Sequence, residues 1–307
     1  TASTTESETL VENLSNKMIR IRGRGGAGKT IMCLQAAWKV FDQRAFRTLV
    51  LTYNHALAAD IRRLLALLKV PSDPEQGGVV VDTVMSFMYS WFLRLQLVEQ
   101  GEALEMENYE ALCNSCIEMI NEGAITSEDI ADTINALPAQ YAFDCVVVDE
   151  SQDWPQGEVD LLKMLYGPTK ICLADGVDQL LRGERPNWDK GVSEEDRVLI
   201  SLDQCLRMKR NLAVFAHDVS EFGRYKWDAK PNKKAGGGKV KILLRPYECY
   251  SEFHDHLLEE VKDKGNDELD FLHCVPRSNF VDKNGARTSK IGAYLLSKGY
   301  EVWDGVD

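Results

Sequence analysis

The chain has 307 residues, 44% of them hydrophobic, and a formal net charge of −12. Its length and apolar content suffice for about two domain cores, and the acidic balance excludes a simple polycation that coats nucleic acid while leaving room for a local basic groove. No apolar run reaches the ~18 residues of a membrane span, so no membrane association is expected, and no signal-peptide pattern is visible after Thr1.

Residues 1 to 16 are polar and acidic, a flexible lead or the start of a helix. Met18 to Arg22 reads as a strand feeding Gly23-Arg-Gly25-Gly26-Ala27-Gly28-Lys29-Thr30, and Ile31 to Phe41 carries helical spacing. The pattern Gly23-x-x-x-x-Gly28-Lys29-Thr30 in a strand-loop-helix context is a phosphate-binding P-loop. Gly23, Gly25, Gly26, Ala27 and Gly28 are the expected cradle, because glycine lets backbone N–H groups turn inward on phosphate oxygens. The positive end of the following helix faces the same anion. Lys29 is expected on the β- and γ-phosphates and Thr30 on Mg²⁺.

Thr48 to Thr52 reads as a buried strand, Ala56 to Leu68 as a helix and Gly78 to Thr83 as a further strand. Helical patterns then run to about Leu137, and the block at about 88–140 reads as a helical insertion. Within it Cys113 and Cys116 form a C-x-x-C without a second pair, and on a helix they share a face, which favours core packing over zinc. The eight cysteines show no disulfide rhythm, which with a P-loop points to a reducing cytoplasm.

Phe143 to Val148 is a strand that delivers Asp149-Glu150 at its C-terminal end, where ligands bind in open α/β sheets. Asp149 is expected to hold Mg²⁺, and Glu150 to accept a proton from attacking water. Lys170 to Ala174 is another strand, and a break rich in Gly, Pro and charge follows from Arg182 to Glu195. Val198 to Leu202, Asn211 to Glu221, Val240 to Leu244, Glu252 to Val261, Leu269 to Val275 and Lys290 to Lys298 then alternate strand and helix, with a basic, glycine-bearing loop at Lys226 to Lys239. Alternating strands and helices predict an α/β fold on a parallel sheet. The expected division is residues 1–196 as one domain and 197–307 as a second, partial one.

The order of these motifs resembles superfamily 1 helicases of the UvrD/Rep type. Asp149-Glu-Ser-Gln-Asp153 resembles that family's DExQD box, Leu49 to Asn54 with Ala56 its motif Ia, and Asp82-Thr83 with Ser86 its motif Ib. Leu173-Ala-Asp175 with Asp178-Gln179 resembles motif III, Leu202-Asp-Gln-Cys-Leu-Arg207 the L-E-x-N-Y-R segment, and Val275-Pro-Arg-Ser-Asn279 a strand of the second domain. The resemblance implies two RecA-like domains and ATP hydrolysis with Mg²⁺, with Glu150 as catalytic base and Gln179 as γ-phosphate sensor. It also implies that Arg207 arrives from the second domain. Single-stranded DNA, or RNA, would be met by Tyr53, Asn54, Thr83 and Arg182, and Trp154 and Trp188 are further stacking candidates. Leu49 to Asn54 and the Asp149 box are similar to the branch often fused to nucleases, so a fused or associated nuclease or effector is an implied partner.

The departures define alternatives. Arg182 stands where the family places a base-stacking aromatic, and Val84-Met85 where motif Ib has Phe-His. The family's last two motifs have no counterpart before Asp307, so the chain is expected to be cut short of them. A non-translocating ATPase switch and a nucleotide-binding module without turnover therefore stand beside the motor.

Overall fold

Runs of β-branched and apolar residues between turn signals build the strands. The structure, a computed structural model, describes the chain except residues 1–3, 72–77, 100–105, 177–184, 225–226, 228–229, 238, 243, 245–251, 264–279, 284–285 and 303–307. It divides into two units, Thr1–Lys239 and Val240–Asp307.

In the first unit six strands form one sheet: β1 (Met18–Gly23), β2 (Thr48–Thr52), β3 (Val79–Thr83), β4 (Cys145–Val148), β5 (Ile171–Gly176) and β6 (Arg197–Leu202). Their order is β3-β2-β4-β5-β1-β6, and every neighbouring pair is parallel. The helices of this unit are α1 (Thr4–Asn13), α2 (Lys29–Arg44), α3 (His55–Leu67), α4 (Val84–Arg94), α5 (Met106–Asn121), α6 (Ser127–Ala136), α7 (Pro138–Tyr141), α8 (Gln156–Tyr166) and α9 (Arg210–Gly223). A short parallel pair, β7 (Gln204–Cys205) and β8 (Lys230–Pro231), lies beside α9. The expected α/β class with a parallel sheet is what the chain adopts.

Period-2 alternation sorts the strand residues onto two buried faces. Val50, Val147, Cys172 and Ala174 pack with α1, α2 and α3, and their neighbours Leu49, Leu51, Val146, Val148 and Leu173 pack with α4, α5 and α8. The helical block between β3 and β4 is thus an insertion in sequence but a structural layer in the fold. Val84, Phe87, Met88, Trp91 and Phe92 recur at helical spacing along α4 and are all buried. The Trp91 ring centre lies 4.6 Å from that of Tyr141, the two tilted by 50°, and Phe87, Phe143 and Tyr166 complete the cluster. Cys113 and Cys116 lie in this core, as their spacing predicts.

Two expectations are corrected. The division at 196/197 fails because β6 pairs with β1 along its whole length, Met18 opposite Arg197 through Gly23 opposite Leu202, and buries Ile200. It is the edge strand of the first sheet, and the first unit continues to Lys239. In the second unit the described residues form α10 (Phe253–Asp263), an antiparallel hairpin of β9 (Phe280–Lys283) and β10 (Ala286–Ser289), and α11 (Lys290–Ser297). Val240 to Ile242, expected in a strand, are irregular and exposed, having no partner strand among the described residues. The expected strand Leu269–Val275 lies outside the described residues.

Among the described residues no helix is long and apolar enough to cross a membrane, and Cys33, Cys113, Cys116, Cys145, Cys172 and Cys205 are free, buried thiols.

Candidate nucleotide site

Because all six strands run the same way, their C-terminal ends share one edge. That edge gathers the loop after Gly23, Tyr53-Asn54 after β2, Thr83 of β3, Asp149-Glu150 after β4 and Asp175-Gly176 of β5.

The loop from Gly23 to Thr30 turns at Gly26 (φ 75°) and Gly28 (φ 90°), the left-handed region that glycine enters without strain. Gly28 caps α2, no side chain caps its first amides, and no acidic residue occupies the first turn. Such an N-terminus presents N–H groups and the positive end of the dipole to an anion. Lys29 is 6% exposed, and its Nζ donates to the carbonyls of Gly23 (3.0 Å) and Arg24 (3.5 Å).

Thr30 on α2 meets Asp149 after β4: its hydroxyl donates to Asp149 Oδ1 at 2.9 Å. Asp149 is 2% exposed, and its Oδ2 is buried with no partner among the described residues. Burial pushes the carboxyl up to about 6, with the neighbouring Glu150 charge adding to it, while Thr30 and Lys29 pull the other way. A buried, orphaned carboxylate oxygen beside a hydroxyl is a hard oxygen donor set, and it fits Mg²⁺.

Glu150 is exposed and adopts φ 46°, a strained conformation for a residue with a side chain. Its Oε2 accepts from Gln152 Nε2 at 2.8 Å. Gln152 is 2% exposed, and its Oε1 accepts from the Gly176 amide at 2.6 Å. Beside them Arg185 Nη1 donates to both oxygens of Asp175 at 3.1 and 3.0 Å, and its Nη2 to the Gly176 carbonyl at 2.6 Å. Burial raises the Asp175 carboxyl, against the pull of Arg185 and Arg20. Gln152, Gly176 and Arg185 were absent from the sequence-derived site. Gln152 stood in the DESQD pattern, whereas nothing around Arg185 distinguished it from a charged loop residue.

Arg207 is exposed and belongs to the first unit, which corrects the expectation that it arrives from a second domain. The amides of Leu206 and Arg207 donate to the Gly26 carbonyl at 2.9 and 3.2 Å, and Cys205 Sγ lies 3.5 Å from the Gly25 carbonyl. The strand β6 turns directly onto the P-loop and carries this arginine with it.

The nucleic-acid candidates divide. Asn54 is exposed, but its side chain caps α3 by accepting from Ala56 (2.8 Å) and Leu57 (3.2 Å). Thr83 is 4% exposed and caps α4 through the Ser86 amide. Tyr53 is half-buried; its ring meets Trp154 edge-on at 5.5 Å and its hydroxyl donates to Glu158. Trp154 and Trp188 are both 2% exposed and donate to the carbonyls of Asp149 (3.2 Å) and Ser151 (2.9 Å). These two indoles hold the acidic turn in place and are not stacking platforms. Gln179 and Arg182 lie outside the described residues.

No family model matches the chain, and no curated protein does. Among solved structures it is similar to the Pif1 helicase of Candida albicans, at 14% identity over 84% of this chain and 54% of that one, with a TM-score of 0.42. It is similar to arterivirus nonstructural protein 10, a helicase, at 14% identity over 74% and 44%, with a TM-score of 0.34. It is also similar to AMPPCP-bound DnaA of Aquifex aeolicus, at 15% identity over 86% of this chain and 61% of that one, with a TM-score of 0.29. The chain spans about half the length of the helicases it matches. At these scores the reading of the site rests on its own geometry.

Proposed function

We propose that this chain is the ATP-hydrolysing core of a superfamily 1 helicase or translocase of the UvrD/Rep kind, acting on single-stranded DNA. The observation that carries the reading is the 2.9 Å hydrogen bond from Thr30 to Asp149, which joins the P-loop helix to an acidic pair at the end of a neighbouring strand. A loop that merely docks phosphate has no use for a buried carboxylate and a second, strained glutamate beside it.

The chain's own residues supply the steps. Backbone amides from Gly25 to Gly28 bind the β- and γ-phosphates, and Lys29 turns from the Gly23 carbonyl to the same oxygens. Glu150 takes a proton from water as its oxygen bonds to the γ-phosphorus and the bond to the β–γ bridging oxygen breaks, giving ADP and phosphate. Arg207, anchored on Gly26, offsets the charge that develops on the transferred group. Mg²⁺ held by Thr30 and Asp149 supplies charge neutralisation when bound.

Nucleic acid is supported by a local basic surface on an acidic chain. Nine Lys and Arg against four Asp and Glu lie between residues 203 and 239. Lys209 and Arg210 begin α9, and the backbone of residues 232 to 237 folds onto them, with Arg210 N on Ala235 O at 2.8 Å and Asn211 N on Gly237 O at 3.1 Å. Lys209, Arg210, Lys233 and Lys234 are exposed, with no ion pair among the described residues.

A second reading, a nucleic-acid-stimulated ATPase switch that gates a fused nuclease or effector, is favoured by one observation. Tyr53 and Thr83 are engaged in packing and capping, which leaves fewer groups to step along bases. Stepping and strand-separation assays on single-stranded DNA and RNA decide between them: ATP-driven movement supports the motor, and stimulated hydrolysis without movement supports the switch.

A further inference from the structure

Glu150 is held at its backbone and at one carboxylate oxygen. Its backbone is held at φ 46°, with its carbonyl accepting from the Asp153 amide at 3.0 Å, and its carboxylate is fixed at one oxygen by Gln152. Gln152 is in turn fixed by the Gly176 amide, and the Gly176 carbonyl by Arg185. Arg185 is anchored by its two-oxygen grip on Asp175. An unbroken chain of hydrogen bonds therefore runs from a guanidinium beyond β5 to the carboxylate after β4.

Gly176 shows how closely the parts fit. A Cβ there would stand 2.8 Å from Gln152 Nε2 and 2.9 Å from its Cδ and Oε1, so only glycine admits the amide at this distance. Its φ lies outside the left-handed region, so it is the close approach that calls for glycine.

We propose that Gln152, Gly176 and Arg185 are a positioning relay that aims the Glu150 carboxylate at the attacking water. The inference rests on the reading of Glu150 as the base. With Oε2 held by Gln152, the second oxygen of Glu150 is the one left to take a proton at hydrogen-bond distance. None of the three residues touches the reacting atoms; they act through Glu150.

The test uses the full chain with Gln152→Ala, Arg185→Ala and Gly176→Ala. The last removes no polar side chain and acts by displacing Gln152, so it covers the case in which Arg185→Ala fails to fold. Binding of a fluorescent ATP analogue is measured beside steady-state hydrolysis. The relay predicts that kcat falls about 10- to 100-fold in all three variants while Kd and KM stay within about twofold. Wild-type kcat in the variants, or parallel losses of thermal stability and nucleotide affinity with kcat per folded molecule unchanged, would overturn the relay alone. A wild-type chain without turnover would overturn the reading of Glu150 itself.

Discussion

The amide of Arg207 donates to the carbonyl of Gly26 at 3.2 Å, so the arginine and the phosphate loop are fastened to each other through the main chain. A Cβ at residue 26 would stand 3.0 Å from Arg207 Cβ and 3.2 Å from Cys205 Sγ, on a backbone at φ 75°. Gly26→Ala therefore strains the loop and pushes this segment away at once. It is expected to weaken ATP-analogue binding at least tenfold and to lower stability by about 1–2 kcal/mol. Titration calorimetry and thermal denaturation check both effects.

Asp149 gives a prediction of opposite sign for stability and activity. Its carboxyl is held near 6 against an ordinary 3.8, a difference that amounts to roughly 2–3 kcal/mol against the folded, metal-free protein above pH 6. For a raised carboxyl the unfavourable contribution is absent below about pH 4, grows between about pH 4 and 6, and is full above that. Asp149→Asn is thus expected to raise the melting temperature at pH 7.5 without Mg²⁺, and to lose that advantage by about pH 4. ATP turnover by the same variant is expected to fall by two or more orders of magnitude. Thermal scans across pH, paired with phosphate release, check the pair.

Trp91 tests the helical block as a layer of the core. It is fully buried against Tyr141 and Tyr166, so Trp91→Ala removes a large side chain that the sheet side cannot refill. The expected loss is about 3–5 kcal/mol of unfolding free energy in chemical denaturation. A block that projected from the sheet as an appendage would give a loss near zero.

The basic surface at the start of α9 is tested by Lys233→Glu with Lys234→Glu. Both side chains are exposed and neither belongs to the Gly23 to Thr30 loop, so ATP-analogue binding should hold. Affinity for single-stranded DNA should fall about tenfold near 0.1 M salt, and the slope of log K against log salt should shrink by about 1–2. Fluorescence anisotropy over a salt series measures both.

Much of the site was legible because it is encoded locally. The spacing from Gly23 to Thr30 and the apolar run ending in Asp149-Glu150 each state a strand, a turn and a chemistry within a few residues. The strands β2, β4 and β5 were legible for the same reason, being buried on both faces. What escaped depends on long-range pairing. The break at Arg182 to Glu195 has the composition of a boundary, yet the chain returns through β6 to the edge of the same sheet. That return places Arg207 beside Gly26 and puts it in the first unit. Val240, Ile242 and Leu244 alternate as a strand would but have no described partner, which periodicity alone cannot supply. The roles of Trp154 and Trp188 are set by carbonyls that turn toward them only in the folded acidic turn.

The central claim is that Gly23 to Thr30 and Asp149-Glu150 form one hydrolytic site, and the most direct measurement is phosphate release from ATP by the full chain and by Lys29→Ala, each with and without single-stranded DNA. The account predicts Mg²⁺-dependent turnover that rises severalfold or more with DNA and falls by two or more orders of magnitude in Lys29→Ala. A folded wild-type chain that binds the ATP analogue but releases no phosphate in any condition, or a Lys29→Ala chain that turns over normally, would contradict it.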